Sequence, residues 1–411
     1  MKTRAWPCRG LCLLILLLVL GLAPAAWAIV VKGVVSGPGG LLIQGALISD
    51  GRQVVASSRE GRFSLDSEPD RAVWVCPPRG FSPSGRDWWP VPDAAAAGTL
   101  EITLVEHTQR PSYRVALLSD PHLMDAAAAT VNYPPPPGGY DVPMNAWKRL
   151  AEDLKQSPPD LSLVTGDLCM DGDHGNPAHI EAQMALAGRA LAMLPPPALA
   201  IPGNHDVRYD DHTRPPTVDL APWRRRLGPA RRAWRLGPTV WIMWDNLGRG
   251  VDSGGKARSL GATSEEALTW LGDLLAHLDP GTPLVLATHY PPASAISGAN
   301  PLLRRQVVKA DSNSGLGLRD TDQNLSRVLP LLAGRRVLAW IHGHEHAHHE
   351  TTLFLRQGPW LVLGLPAVCG RWWIGDRDWG SLAFPPGYVL LTLTPGPDGV
   401  RLDSQAVPVL F

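Results

Sequence analysis

Residues 161–167, Leu-Ser-Leu-Val-Thr-Gly-Asp, and residues 199–206, Leu-Ala-Ile-Pro-Gly-Asn-His-Asp, decide the fold of this chain. In each stretch a run of apolar residues, typical of a buried strand, ends directly in polar side chains. In open α/β sheets, functional side chains lie just beyond the carboxyl ends of the strands and face one crevice. The two stretches therefore predict strands of an α/β sheet with a polar site at one edge.

Three more stretches follow the same pattern, so that the chain holds five polar runs, each behind a predicted strand. The runs are Asp120-Pro121-His122 after 113–118, Gly166-Asp167 after 161–165, Gly203-Asn204-His205-Asp206 after 199–201, Thr288-His289 after 284–287, and Gly343-His344-Glu345-His346 after 337–341. Each run alone is a weak signal, because short Asp and His runs also serve as turn and cap residues. Their joint occurrence favours one metal site.

The side chains in these runs are histidines, carboxylates and an amide, which suit Mn, Fe, Zn or Co and leave the identity of the metal open. Two divalent ions about 3.5 to 4 Å apart can share a hydroxide, lower its pKa and stabilise the entering and leaving oxygens of a phosphoryl transfer. Such a site needs one carboxylate that bridges both ions. Asp167 is the natural candidate for the bridge.

The segment that carries the five runs, residues 112–356, alternates strands with helical stretches, which is typical of βα units. One helix is well marked, because Thr263 stands three residues before Glu266 as a capping box and leucines recur at helical spacing over 268–278. A second helix is predicted over 323–332, before the strand at 337–341. We therefore expect a catalytic domain of the α/β (α+β) class over 112–356.

Two β-rich segments flank this domain. Residues 29–107 hold short β-rich runs separated by turn signals, which predicts a small N-terminal β-sandwich domain without a cluster of metal-binding or nucleophilic side chains. Its predicted strands are 30–35, 46–48, 53–56, 63–65, 72–76 and 100–105. Residues 357–411 return to a β pattern at 361–363, 388–393 and 400–402, which predicts a β-rich C-terminal module.

Residues 1–28 have the pattern of an export signal peptide. Basic residues precede an apolar run over 11–22, and Ala26-Trp27-Ala28 supplies a small-x-small cleavage site. An uncleaved membrane anchor is the alternative, because apolar residues continue through 29–31. We expect cleavage before Ile29 and a periplasmic or secreted protein.

The composition gives no general attraction to nucleic acid or to an anionic membrane, because 38 basic residues balance 38 acidic ones. The 41 glycines and 41 prolines, without low-complexity runs, indicate a loop-rich globular protein. Beyond the signal peptide the cysteines are Cys76, Cys169 and Cys369. One disulfide among these three stays open, but buried thiols are the favoured interpretation.

Taken together, the five runs resemble the blocks D-x-H, G-D, G-N-H-D/E, H and G-H-x-H of the calcineurin-like metallophosphoesterase family. The resemblance implies a two-sheet sandwich flanked by helices and two sets of metal ligands. The implied sets are Asp120, His122, Asp167 and His346 for one ion and Asp167, Asn204, His289 and His344 for the other. It also implies that His205 protonates the leaving oxygen, with Asp206 orienting its imidazole.

The resemblance extends beyond the catalytic segment. Residues 34–80 resemble the small N-terminal domain of an extracytoplasmic branch of this family, and residues 369–373 with 386–388 resemble the C-terminal module of that branch. A purple acid phosphatase would have a tyrosine three residues after the bridging carboxylate, where this chain has Met170. We interpret Asp171 and Asp173, just beyond, as solvent-facing loop residues, with a position beside the metal ligands as the alternative.

Residues 342–349 hold five histidines, of which His344 and His346 match the family motif. If this segment is extended, His342, His344, His346 and His348 point to one side. We interpret His342, His348 and His349 as surface groups or as neighbours of the ligands. Additional metal binding by them is the less favoured interpretation.

Residues that contact the substrate are expected in loops near the polar runs. The Pro- and Tyr-rich stretch 133–140 should lie at the rim, and Arg208, His212 and Arg214 follow 203–206 closely enough to meet a phosphate; solvated loops are the alternative. The six arginines at 224–235 are interleaved with Trp223 and Trp234. We interpret this basic run as a solvated helix face, with contact to a membrane lipid or polyanion as the alternative.

The predicted function is hydrolysis of a phosphodiester or organic phosphate by in-line attack of a metal-bridging hydroxide, with His205 as general acid. The expected cofactors are two divalent metal ions (Mn, Fe or Zn), and the expected partner is a small-molecule phosphate ester. No nucleic acid is expected, and a peripheral contact with the envelope or membrane stays open. The alternatives are a pyrophosphatase acting on a nucleotide or lipid-linked diphosphate, and a non-catalytic binding protein, which the retention of every ligand disfavours.

Overall fold

The structure is a computed structural model that describes residues 28–124, 138–173, 175–210, 217–252, 257–294, 307–309, 317–318, 320–356, 358–369 and 385–409. Nearly all of the predicted export signal lies outside the described residues, as do most of the rim stretch 133–140 and the positions His212 and Arg214. Within the described ranges, no helix is both long and apolar enough to cross a membrane.

Residues 29–107 form two four-stranded sheets with a shared core. The elements are β1 Ile29–Ser36, β2 Leu47–Ser49, β3 Val54–Ala56, β4 Arg62–Ser67, β5 Ala72–Cys76, β6 Phe81–Pro83, β7 Trp88–Pro90, α1 Val91–Ala96 and β8 Leu100–Glu106. One sheet has the order β4-β1-β8-β6 and the other β3-β2-β5-β7. Val31, Leu65 and Ile102 of the first sheet pack with Ile48 and Val75 of the second. The segment is therefore a β-sandwich, as the turn-punctuated β pattern predicted.

The larger body begins at residue 113 and runs to the end of the described chain. Its strands are β9 Tyr113–Leu118, β10 Leu161–Val164, β11 Ala198–Ala200, β12 Arg208–Asp210, β13 Thr217–Asp219, β14 Arg232–Leu236, β15 Thr239–Met243, β16 Leu247–Asp252, β17 Ala257–Gly261, β18 Pro283–Thr288, β19 Val307–Lys309, β20 Gly317–Leu318, β21 Arg336–His342, β22 His349–Leu355, β23 Gly358–Gly364, β24 Gly387–Gly396 and β25 Gly399–Pro408. Its helices are α2 Asp141–Gln156, α3 Pro177–Leu191, α4 Ala221–Leu227, α5 Glu265–Ala276 and α6 Leu325–Leu331.

Two sheets of this body lie face to face. Their strand orders are β11-β10-β9-β24-β25 and β14-β15-β18-β21-β23-β22. Leu117, Leu163 and Val389 of the first sheet share a buried core with Trp241 and Ile341 of the second. The predicted two-sheet sandwich is confirmed. The described residues also form a small β12-β13 hairpin and a sheet of order β17-β16-β19-β20.

Helices cover the outer face of each sheet. In α2, apolar side chains recur at helical spacing, so one stripe that includes Trp147 and Leu150 is buried. These residues pack with Met184 of α3 and with Ala116 and Val164 of the first sheet. On the other side, α5 and α6 pack on the second sheet. The helices thereby hold fixed the strands whose ends carry the polar runs.

Helix α5 begins later than the predicted capping box implies. Its N-cap is Ser264, whose side chain accepts a hydrogen bond from the backbone of the first turn. The hydroxyl of Thr263 instead donates to the buried carboxylate of Asp322, and Glu266 pairs with two arginines. The Thr263 capping box was therefore wrong, because these tertiary partners engage both of its side chains. Asp322 also accepts from the backbone of a turn that delays the start of α6.

The C-terminal tail joins both main sheets. β23 pairs in parallel with β21 and antiparallel with β22, while β24 pairs antiparallel with β9. The pairing with β24 covers an edge of β9 that would otherwise expose unpaired backbone groups. The described strands of the segment predicted as a C-terminal module over 357–411 thus belong to the same sandwich as residues 112–356.

The basic run at 224–235 holds the N-terminal sandwich against the larger body. Its contacts to that sandwich are Arg224 with Asp70, Arg231 with the carbonyl of Gly51, Arg232 with Asp87, and Arg235 with the carbonyl of Pro77. Arg231, Arg232 and Trp223 are buried. The interpretation of this run as a solvated helix face holds for Arg225 and Arg226 of α4, which are exposed, and was wrong for Arg231 and Arg232, which are buried. A contact of this run with a membrane lipid or polyanion stays a prediction.

Candidate metal centre

The five polar runs meet at one edge of the sandwich. β9, β10 and β11 are parallel neighbours in one sheet, and β18 and β21 are parallel neighbours in the other, so the loops after them leave in common directions. Three clusters of ligand atoms, each within 4.8 Å, are Asp120–His122–His346, His122–Asp167–His205 and Asp167–His289–His344. The structure therefore brings together side chains from all five loops, and their assignment as metal ligands stays a prediction.

Asp120 is anchored through one carboxylate oxygen and presents the other. Its Oδ2 accepts hydrogen bonds from the hydroxyl of Ser119 and, at 3.0 Å, from the N–H of His344. Its Oδ1 is buried, accepts no hydrogen bond within the described residues, and lies 3.3 Å from Nε2 of His346. A buried anionic oxygen without a donor is costly unless a cation compensates it, which fits a metal ligand.

Asp167 lies between the clusters. Its Oδ1 accepts a hydrogen bond from the N–H of His205 at 2.8 Å. Its Oδ2 lies 3.7 Å from Nε2 of His122 on one side and 3.4 Å from Nε2 of His289 on the other. A carboxylate flanked by imidazoles of both clusters suits the role of a bridge between two ions.

The imidazole nitrogens converge as ligands of cations do. Nε2 of His122 and Nε2 of His346 are 3.0 Å apart. Two nitrogens bound tetrahedrally to one ion at about 2.0 to 2.1 Å would be separated by about 3.3 Å. On the other side, Nε2 of His289 lies 3.0 Å from Oδ1 of Asn204, and its Nδ1–H donates to the carbonyl of Thr165. Ligand histidines are commonly fixed through their second nitrogen in this way.

Strained backbone is confined to predicted ligands. Among the described residues, the non-glycine residues with positive φ are Asp120 (50°), His122 (45°), Asp167 (53°), His344 (69°) and His346 (55°). Each such residue costs about 1 to 2 kcal/mol, because Cβ comes too close to the backbone. Strained residues that the surrounding structure nevertheless enforces concentrate at functional sites. The backbone thus points to the same residues as the side-chain geometry.

The charges of the centre set the protonation of the histidines. Burial lowers the pKa of His122 and His344, which favours the neutral form that binds metals. Burial also lowers the pKa of His289, but Asp167 and Asp120 outweigh it and raise the pKa to about 9. A metal ion at this position therefore has to displace a proton from His289.

His205 faces the centre and is oriented by a carbonyl group. Its Nδ1–H donates to the carbonyl of Met170 at 2.7 Å, and its ring lies 5.1 Å from that of His122. Burial lowers the pKa of His205, but the charges of Asp167 and Asp173 outweigh burial, so that the net shift of the pKa is upward. The site thus favours a protonated His205 with Nε2 as the second proton-bearing atom.

Asp206 shapes the loop rather than the imidazole. It is fully buried and accepts hydrogen bonds from the N–H groups of Leu168 at 3.1 Å, Cys169 at 2.9 Å and Gly203 at 2.9 Å. The thiol of Cys169 is a fourth donor. The predicted role of Asp206 in orienting His205 was wrong, because the Nδ1–H of His205 donates to the carbonyl of Met170 instead. Cys76, Cys169 and Cys369 are all buried and form no disulfide within the described residues.

Several neighbours of the ligands were missed or misplaced by the sequence analysis. Asp171 is fully buried and Asp173 lies 3.7 Å from Nδ1 of His205, so the solvent-facing interpretation of both was wrong. Asp320 was not singled out, yet its carboxylate lies 3.2 Å from Nε2 of His344. No predicted strand precedes Asp320, so the pattern that identified the other loops gave no signal for it.

The segment 342–349 is not extended. β21 ends at His342, the positive φ values of His344 and His346 turn the chain, and β22 begins at His349. The ring of His342 lies 5.2 Å from that of His349. An extended backbone, the condition for His342 and His348 to lie on one side with the two motif histidines, is therefore not met.

Comparisons with known proteins bear on this centre. Residues 113–348 match the family model described as calcineurin-like phosphoesterase, which is more than half of the chain. Among solved structures, the chain is similar to a dimetal phosphatase from Danio rerio (14% identity, 73% of this chain and 100% of that chain covered, TM-score 0.42). It is also similar to the protein TT1561 of Thermus thermophilus (11% identity, 72% and 98% covered, TM-score 0.34). No curated protein sequence matches the chain.

Proposed function

Since the chain belongs to the calcineurin-like phosphoesterase family, we propose that this metal-dependent phosphoesterase uses two divalent ions to hydrolyse a phosphodiester or another organic phosphate ester. The observation that carries the proposal is the position of Asp167. Its Oδ2 lies within 3.7 Å of an imidazole nitrogen of each flanking cluster. A single-ion site would not need a carboxylate between two sets of ligands.

The residues present fit two ions. When bound, the ions would supply an activated water and positive charge for the phosphoryl oxygens. The proposed holders are Asp120, His122 and His346 for one ion, Asn204, His289 and His344 for the other, and Asp167 for both. The hydrogen bonds to Asp120 and Asp167 fix one oxygen of each carboxylate and so fix the direction of the other.

His205 is proposed to protonate the leaving oxygen. Because its Nδ1–H is held by the carbonyl of Met170, the proton to be transferred sits on Nε2. A positioned general acid contributes about 10² to 10⁴ in rate. That contribution is largest for an alkoxide leaving group and smallest for p-nitrophenolate, which leaves without a proton.

The test compares turnover of bis-p-nitrophenyl phosphate and p-nitrophenyl phosphate by the protein loaded with Mn, Zn or Fe. Asp167→Ala is expected to lose the metal bound at this centre and to abolish turnover of both esters. His205→Asn is expected to keep its metal, to change kcat little on these two aryl esters, and to lose about 10²-fold or more in kcat on an alkyl phosphate ester assayed beside them. His277→Asn, at an exposed position after α5, is the matched control and should behave as wild type.

Each outcome separates the candidate functions. Faster turnover of the diester supports a phosphodiesterase. Turnover of a nucleoside diphosphate derivative with none of either ester would favour the pyrophosphatase alternative. Full activity of Asp167→Ala would contradict the use of two ions.

We also propose that the mature chain begins at Ile29 and acts in the periplasm or after secretion on a small-molecule phosphate ester. The support is the export pattern of residues 1–28, and cleavage there would leave strand β1, which starts at Ile29, intact. Mass spectrometry of the protein from fractionated cells should find Ile29 as the first residue. Full-length chain in the membrane fraction would favour an uncleaved anchor instead.

A further inference from the structure

We propose that His342, Glu345 and His349 form a third metal site, which binds Zn²⁺ and shares no residue with the two-ion centre. The ligand atoms of these three side chains lie within 4.8 Å of one another. Nε2 of His349 is 3.1 Å from Oε2 of Glu345. Two imidazoles and one carboxylate are a ligand set that Zn²⁺ takes in sites with three protein ligands, where a water completes the tetrahedron.

The imidazole of His342 is positioned to bind a cation through Nε2. Its side chain is fully buried, and its Nδ1–H donates to the carbonyl of Gly343 at 2.9 Å, which leaves the lone pair on Nε2. That Nε2 has no hydrogen-bond partner within the described residues. A hydrogen bond between Glu345 and His349 alone would leave this buried acceptor unsatisfied, whereas an ion between the three groups satisfies it.

The side chains of Glu345 and His349 are each contacted by a hydroxyl group on the side away from the cluster. The hydroxyl of Ser294 donates to Oε1 of Glu345, which leaves Oε2 toward His349. Nδ1 of His349 lies 3.5 Å from the hydroxyl of Thr351. Each of the three groups thus has one polar atom in contact with protein and its second polar atom toward the cluster. Such outer contacts orient ligands and fix the tautomers of ligand histidines.

The sheet register makes the cluster possible. β23 lies between β21 and β22, and both His342 and His349 are paired with Gly364 of β23. Strands on either side of a third are about 9 to 10 Å apart, so the side chains have to lean across the middle strand to meet. A Cβ at Gly364 would lie only 2.4 Å from Nε2 of His349. The glycine therefore provides the space that the imidazole of His349 occupies.

An ion at this position would connect the end of β21 with the start of β22. The loop between these strands carries His344 and His346, two predicted ligands of the two-ion centre. The third site is therefore inferred to hold this loop in place and to take no part in hydrolysis.

The test counts Zn²⁺ ions. The metal-free full chain is saturated with Zn²⁺, desalted, and analysed for bound metal per chain. Wild type is expected to retain three ions and His349→Gln two. His348→Gln changes the exposed neighbouring histidine and is expected to retain three. Gly364→Ala should lose the same ion as His349→Gln, although it removes no ligand.

The outcomes distinguish the third site from the two-ion centre. Two ions in both wild type and His349→Gln would overturn the proposal. One ion in wild type and none in His349→Gln would support the third site while contradicting the two-ion proposal. If His349→Gln does not fold, the ion count of Gly364→Ala decides: one ion fewer than in wild type supports the site, and the wild-type number overturns it.

Discussion

Asp206 is expected to act on the shape of the loops that carry the ligands, and replacing it separates this role from catalysis. Asp206→Ala removes the acceptor of three buried backbone N–H groups. Each buried donor left without a partner costs about 1 to 3 kcal/mol, so we expect a loss of about 3 to 9 kcal/mol in the free energy of unfolding. In Asp206→Asn the amide oxygen can still serve Leu168 and Gly203, so only the N–H of Cys169 loses its acceptor and the loss is about 1 to 3 kcal/mol.

The assay is urea-induced unfolding of the metal-free protein followed by tryptophan fluorescence, together with metal content and the pH dependence of kcat. His205→Asn is the comparison, because the imidazole of His205 donates to the carbonyl of Met170 and faces the centre, so its removal should change kcat more than stability. The Asp206 variants should bind metal less tightly, since two of the affected donors flank Asp167 and Asn204 in sequence. Wild-type stability in Asp206→Ala, with the pH profile of His205→Asn, would refute this account and restore Asp206 as the orienting group.

Three further predictions concern the domain interface and the ligands. Burial raises the pKa of Glu266, but Arg71 and Arg231 outweigh burial and lower the pKa to about 2. The ionised carboxylate therefore stabilises the fold fully above pH 4.5, and this stabilisation is lost as the pH falls through 2. Because the Glu266 side chain is 37% exposed, we expect this stabilisation to be about 1 kcal/mol. It is measured as the difference in the free energy of unfolding between wild type and Glu266→Gln, which should disappear at low pH. Trp270→Ala should cost about 3 to 5 kcal/mol in thermal or urea unfolding, because the buried ring packs against Trp74 of the N-terminal sandwich. Since the pKa of His289 is raised to about 9, metal affinity should increase with pH up to about 9, with proton release detectable by calorimetry in two buffers.

The sequence predicted those parts of the fold that depend on the local pattern of residues. Apolar runs ending in polar residues located β9, β10, β11, β18 and β21 to within about one residue, because a buried strand and the turn after it are written in consecutive residues. The sequence did not show that β24 would pair with β9, since that choice depends on which sheet edge is open. It also gave no sign that Arg231 and Arg232 would be buried, because their partners Gly51 and Asp87 lie in a distant segment.

The candidate site, too, has a part that the sequence predicts and a part that depends on tertiary contacts. Residue type and order identified the nine side chains that the loops bring together, but not how each is held. Three of the four donors to Asp206 are backbone N–H groups, which no residue letter encodes. The cluster of His342, Glu345 and His349 depends on a break in the extended chain at His344, where the sequence suggests continuation.

The turn at His344 is one of the places where backbone strain coincides with a predicted metal ligand. Five predicted ligands have positive φ, each at a cost of about 1 to 2 kcal/mol, so the metal-free chain holds its ligand loops in conformations that are locally unfavourable. Hydrogen bonds such as those from His344 N–H to Asp120 and from His205 N–H to Asp167 offset this cost before any ion arrives. An ion then meets ligands that are already oriented, and little of its binding energy is used to order them. Removing one of these hydrogen bonds should therefore weaken metal binding even when every ligand is retained.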